Sequence, residues 1–262
     1  MNAGTASLPD VAAPFIWRED GDVIWLEVAL GPATAAFSTR RGGMSEGAHH
    51  SLNLGILTDD VRERVLENRR VLARAVGREP KSVAMGRQVH GTHVQFHEAT
   101  PEEDAPLTEA DAQVSRLATL TPLVLVADCV PVVIAAPGVV AAVHCGWRGV
   151  AGGILEGVPA AMGGSANRME AALGPGIGAC CYEVGDEVRQ AFRARGHGDD
   201  VMPDGRLDLA LAVRRELERV GMRRDRIHGC LLCTSCNPEL FFSHRRDHGI
   251  TGRQGGLAWL SS

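Results

Sequence analysis

Three short apolar runs in the middle of the chain limit its fold more than any other feature: residues 122–126, 130–135 and 139–143. Each is rich in β-branched residues and bounded by turn signals, the pattern of a buried strand. None approaches the ~20 apolar residues needed to span a bilayer. Asp128 and Cys129 interrupt the apolar character between the first two runs. A carboxylate and a thiol in such a place are costly unless something binds them.

The flanking sequence supplies elements to cover these strands. Residues 23–28 and 34–38 read as a strand pair around Gly31-Pro32, with further strands at 169–173, 227–233 and 257–260. Asp60 and Glu63 resemble a capping box, after which Val61, Val65, Leu72 and Val76 mark an amphipathic helix ending at Gly77. Residues 186–195 and 208–220 look like further helices, the second with an Asp cap and Gly221 beyond its end. Residues 100–106 form an acidic, Pro-bounded surface loop, and no internal repeat occurs. The expected architecture is α/β (α+β): a flexible leader over residues 1–14, then a single domain over 15–262 with mixed β-sheets flanked by helices.

With 262 residues, 45% hydrophobic and 23% charged, the chain can bury enough surface to need no disulfide staples. A formal net charge of -5, with arginine clusters interleaved with acids, argues against nucleic-acid binding. The N-terminus lacks the basic start and apolar core of a signal peptide, and seven cysteines, an odd number, suit a reducing compartment. A cytoplasmic location without membrane contact is expected.

Three segments carry the chemistry: Gln88-Val89-His90-Gly91-Thr92, Ala127-Asp128-Cys129, and His144-Cys145-Gly146-Trp147-Arg148-Gly149. Together they offer two imidazoles and a thiol, the ligand set of a catalytic metal site that keeps one position open. His144 falls at a strand end before a turn into a helix. His90 lies where alternation through Val83, Met85, Val89 and Val94 suggests an extended segment. Arg148 sits where a strand gives way to a helix, a good place to hold an anion; Arg40 and Asn53 are weaker candidates for substrate contact. Asp128, beside the thiol, could orient a ligating imidazole or carry a proton. Gly174-Pro175-Gly176-Ile177-Gly178 lacks the dinucleotide fingerprint and reads as a tight turn. Cys230, Cys233 and Cys236 offer no fourth cysteine at a diagnostic spacing, so buried thiols are the default reading, as are small turn residues for Cys180-Cys181.

Seven segments then fall in one order: Thr39-Arg40-Arg41-Gly42-Gly43, Ser51-Leu52-Asn53-Leu54-Gly55, Gln88-Val89-His90-Gly91, Ala127-Asp128-Cys129, His144-Cys145-Gly146-Trp147-Arg148-Gly149, Leu173-Gly174-Pro175-Gly176-Ile177-Gly178 and Phe241-Phe242-Ser243-His244-Arg245-Arg246-Asp247. The series closely resembles the YfiH-like family, long labelled polyphenol oxidase or laccase-domain proteins and now regarded as purine nucleoside phosphorylases. The resemblance implies a catalytic zinc on His90, Cys129 and His144. It further implies phosphorolysis of purine nucleosides, among them adenosine, inosine and S-methyl-5'-thioadenosine, with deamination of adenosine as a companion activity. Two departures, Cys145 where the family commonly has Ala and His244 where many members have Tyr, leave the three implied ligands untouched.

Two other chemistries compete. His, His and Cys also hold copper, as the older family name suggests, but the chain has no His-x-His and too few histidines for a multicopper oxidase. A cysteine hydrolase acting on cell-wall precursors would use Cys129 as a nucleophile activated by His90 or His144. The oligomeric state and the preferred nucleoside stay open at this level.

Overall fold

The computed structural model describes residues 8–102 and 106–261. Residues 1–7 of the expected leader and 103–105 of the acidic loop lie outside the described residues. Within the rest of the leader, Pro9 accepts a hydrogen bond from the Trp17 indole at 2.8 Å and Val11 packs on the core.

Two six-stranded sheets stack face to face. From edge to edge the first contains β1 (Ile16–Asp20), β2 (Val23–Leu30), β3 (Ala33–Ser38), β12 (Gln254–Leu260), β7 (Thr121–Val126) and β4 (Val83–Ala84). The second contains β11 (Ile227–Gly229), β10 (Glu170–Leu173), β8 (Val130–Ala136), β9 (Val139–Cys145), β6 (Ala112–Ser115) and β5 (Val94–His97). Both are mixed: β4 runs parallel to β7, β5 to β6 and β10 to β11, and the other pairings are antiparallel.

Layering follows from which side chains each strand turns inward. On β8, Val133 and Ala135 join Leu26, Val28, Ala35 and Phe37 between the sheets, while Val132 and Ile134 face the helices. That period of two is the signature of a strand buried on both faces. Helix α1 (Arg62–Ala75) covers the outer side of the first sheet with Leu72 against Trp25, Leu123 and Leu257. Helices α2 (Trp147–Gly152), α3 (Ile154–Met162), α4 (Asp186–Ala194) and α5 (Leu209–Arg219) cover the second sheet. The result is the expected α+β domain of mixed sheets between helices. No described helix is long and apolar enough to cross a membrane.

Three local expectations need correction. Helix α1 begins after Val61 with no side-chain cap, because Asp60 spends one oxygen on the Val61 amide and the other on the Asn53 amide group. The strand expected over 227–233 stops at Gly229: Leu231 takes a left-handed φ of 57°, which breaks the pleat. Residues 85–93 do not continue an extended ladder, since His90 bends at φ 59° and Val89 is exposed.

Candidate metal centre

Strand pairing alone brings two donors together. β8 and β9 form a hairpin whose open end pairs Val130 with Cys145 and Pro131 with His144. Cys129, one residue before β8, therefore lies beside the end of β9. Asp128 makes this turn possible by adopting a left-handed φ of 86°. Its carboxylate is buried and fully used: one oxygen accepts the Thr234 hydroxyl at 2.6 Å and the other the Arg245 backbone N–H at 2.7 Å. The expectation that Asp128 orients an imidazole is thus corrected; it pins the turn that presents Cys129.

The carboxylate that orients the imidazole is Asp111, at the start of β6. It lies beside β9, and its Oδ1 accepts from His144 Nδ1 at 2.7 Å while the His144 backbone N–H donates to the Asp111 carbonyl, also at 2.7 Å. The same carboxylate accepts the backbone N–H groups of Val89, His90 and Gly91 at 3.1, 3.0 and 2.8 Å. Collecting three successive amides curls the loop, which is why the alternating pattern there is not a strand. It also brings His90 over the hairpin end.

His90, Cys129 and His144 consequently present donor atoms that all lie within 4.8 Å of one another. His90 Nε2 is 3.9 Å from Cys129 Sγ, and the two imidazoles meet edge to face with centroids 4.8 Å apart. Asp111 occupies Nδ1 of His144, so Nε2 is the free donor, an arrangement common for metal-ligating histidines. Gly146 keeps the space clear: a Cβ there would lie 2.8 Å from His90 Cδ2 and 3.1 Å from Cys129 Sγ.

Electrostatics agree with this arrangement. Burial pushes the Cys129 thiol up, but the His144 charge and hydrogen bonds from both histidines bring it down to about 6. Burial pushes His144 down, and the Cys129 thiolate together with Asp111 carries it up to about 9. For Asp111, burial is likewise outweighed by the His144 hydrogen bond and the loop amides, which hold its carboxyl below the usual range. The pair thus favours thiolate beside imidazolium, and a divalent cation in the proton's place satisfies the same negative sulfur. The donor set fits a metal ion.

The remaining candidates separate. Arg148 stacks on its neighbour Trp147 at 4.3 Å and has an exposed partner, Glu187, at 3.9 Å. Arg40 donates to the carbonyls of His50 and Pro238 and covers the Phe242 ring. Asn53 is wholly buried, its amide protons donated to Thr58 and Asp60 and its oxygen taken by Gly55 and Arg253. Arg40 and Asn53 thus spend their polar groups within the protein, Asn53 wholly so. Sequence reading missed Tyr182 and Arg245. The Arg245 guanidinium lies 5.1 Å over the Tyr182 ring, and burial and the Cys129 charge push that phenol up to about 12. Arg245 lies in a motif already quoted, whereas Tyr182, the single tyrosine of the chain, carries no local signal.

A family model described as multi-copper polyphenol oxidoreductase laccase matches residues 34–261. A purine nucleoside phosphorylase of Deinococcus radiodurans is 42% identical over 238 residues, covering 86% of this chain and 88% of that protein. The purine nucleoside phosphorylase YfiH of Escherichia coli is 37% identical over 237 residues, covering 86% and 93%. The chain belongs to the YfiH-like family. Crystal structures within the family agree: YfiH of Bacillus licheniformis superposes with a TM-score of 0.87 at 31% identity, covering 95% of this chain and 100% of that one. YlmD from Geobacillus stearothermophilus gives 0.85 at 32% identity, again covering 95% and 100%. The copper in the family description has no multinuclear counterpart here: among the described residues, the two groups able to hold a metal contain only two histidines, His90 and His144.

Proposed function

We propose that this protein is a zinc-dependent purine nucleoside phosphorylase, acting on adenosine, inosine and S-methyl-5'-thioadenosine, and that it also deaminates adenosine. The observation that carries the reading is the convergence of His90, Cys129 and His144 on one point behind a carboxylate-anchored imidazole, in a chain whose relatives bear the phosphorylase name. A zinc ion held by these residues supplies Lewis acidity and an activated water. In phosphorolysis a phosphate oxygen bonds to C1′ while the C1′–N9 bond breaks, its electron pair leaving with the purine, which takes up a proton. In deamination water adds at C6 and ammonia departs.

The chain's own residues divide this work. Asp111 fixes the His144 ring and the His90 loop, and Asp128 fixes the turn of Cys129. Tyr182 stays protonated well above neutral pH and is able to donate a hydrogen bond to an anionic group. We assign Arg148 to the phosphate, its guanidinium being exposed and only loosely paired with Glu187 at 3.9 Å. Seven cysteines, an odd number, suit the reducing cytoplasm.

Chromatography of adenosine reactions tests this. The zinc-loaded protein should yield adenine and ribose 1-phosphate in phosphate buffer, but only inosine and ammonia without phosphate. Arg148→Ala should lose about ten- to a hundredfold of the phosphate-dependent rate, a charge-assisted bond being worth about 1.5–3 kcal/mol. Equal loss of both activities removes Arg148 from the phosphate site. No turnover of any purine nucleoside refutes the phosphorylase reading.

A further inference from the structure

Four cysteines outside the His90–Cys129–His144 group meet at a second point. Cys180 and Cys181 lie in the turn that follows the Gly174 to Gly178 segment, and Cys233 and Cys236 in the turn that follows β11. Their sulfurs all lie within 4.8 Å of one another. Cys236 Sγ is 3.5 Å from Cys180 Sγ and 3.4 Å from Cys181 Sγ, and none of the seven cysteines is in a disulfide. This overturns the expectation that Cys233 and Cys236 lack partners: the missing ligands come from a segment more than fifty residues away, 55 and 56 from Cys236. Cys230 does not take part. It turns into the core between the sheets.

Backbone pairing also ties the two turns together. Gly176 bridges Cys233 in parallel, its N–H donating to the Leu232 carbonyl and its own carbonyl accepting from the Thr234 N–H at 3.0 Å. The Gly178 N–H donates to Cys233 Sγ at 3.3 Å, and Asn237 Nδ2 donates to the Cys233 carbonyl at 2.8 Å. A backbone N–H aimed at a sulfur stabilises thiolate more than thiol. Zinc at ~2.3 Å from each of four sulfurs sets them about 3.8 Å apart on a tetrahedron, which matches a group already at 3.4 to 4.8 Å. An iron–sulfur cluster spreads its thiolates more widely, because several irons lie between them.

We propose that Cys180, Cys181, Cys233 and Cys236 bind a structural zinc ion, separate from the ion at His90, Cys129 and His144. Each thiol that ligates loses its proton to solvent, and four protein ligands leave no open position for chemistry. The ion staples two turns that both reach the catalytic hairpin: Thr234 donates to Asp128 Oδ1, and the Ile177 N–H donates to the Asp128 carbonyl at 2.8 Å. Its role is to hold Asp128, and through it Cys129, in place.

Zinc content by atomic emission tests the site without reference to catalysis. Purified Cys129→Ala, in which the first site is dismantled, should retain about one zinc per chain against about two in the parent, and Cys129→Ala with Cys236→Ser should hold none. Cobalt(II) refolded into Cys129→Ala should give the intense thiolate-to-cobalt absorption of a tetrahedral four-sulfur site, a readout independent of whether the double variant folds. No zinc in Cys129→Ala and no such absorption on cobalt loading overturn the proposal. Iron–sulfur absorption, or two of these four thiols lost to a disulfide in freshly purified protein, overturns it too. A phosphorylase-inactive protein that still carries this zinc would refute the proposed function and leave the second site standing.

Discussion

One buried carboxylate, Asp111, sets both the ring of His144 and the loop of His90. Replacing it with Asn removes the charge facing the imidazole and puts an amide group where an acceptor is needed. Partners of ligating histidines are typically worth ten- to a hundredfold in metal affinity. Asp111→Asn should therefore lower zinc affinity by about that factor in competition with a chelating dye; an unchanged affinity would contradict the orienting role. The three donors were legible in the sequence because His144 and Cys129 fall at strand ends or breaks and all three sit in motifs that the family shares, whereas residue type alone fits ten histidines and seven cysteines. Asp111 was not, because its partners lie 20 to 22 residues before it and 33 after it, and nothing local separates it from the neighbouring acids. Asp128 attracted the orienting role through adjacency to Cys129, yet its left-handed φ of 86° turns its carboxylate to Thr234 and the Arg245 amide instead of an imidazole.

At the scale of elements, helix α5 is tied to its surroundings through Glu216, which is 1% exposed. Glu216 accepts from Arg195 Nη2 at 2.5 Å, His197 Nε2 at 2.7 Å and Arg219 Nη1 at 2.6 Å, and Arg195 also reaches Glu156 on α3. Burial alone would raise the Glu216 carboxyl, but the Arg195 hydrogen bonds and charge hold it below its ordinary value of 4.5. A depressed folded pKa contributes stability that is complete above the ordinary value and is lost as pH falls through the folded one. Glu216→Gln should cost about 1.5–3 kcal/mol at neutral pH by urea unfolding. Below about pH 4 the parent should lose that advantage and the two curves converge; a constant gap across the acid range would show that the charge is not the source. Strands β7, β8 and β9 were readable because burial on both faces forces continuous apolar composition. The 85–93 loop and the end of β11 were not, since the amide-gathering Asp111 and the left-handed Leu231 act through backbone geometry that side-chain patterning does not record.

Across the whole molecule, the inter-sheet layer decides whether two sheets and their hairpin end stay in register. Phe37 fills it: a Cβ added at Gly174 would meet its ring at 2.2 Å, and the Phe15 ring lies 6.3 Å away. Phe37→Ala should cost about 3–5 kcal/mol in guanidinium unfolding, and a loss below about 1 kcal/mol would mean that the sheets close over the gap. The stacked sheets matter to function because β6, β8 and β9 of one sheet deliver Asp111, Cys129 and His144 to a common end, leaving only His90 to a loop. The most direct test of a catalytic metal there is anomalous diffraction at the zinc edge from crystals soaked with a nucleoside and phosphate. The account predicts a peak ~2.3 Å from Cys129 Sγ and ~2.0–2.1 Å from a ring nitrogen of each histidine, with the nucleoside seated against it. A nucleoside bound elsewhere, with no zinc peak among these three side chains, would contradict it.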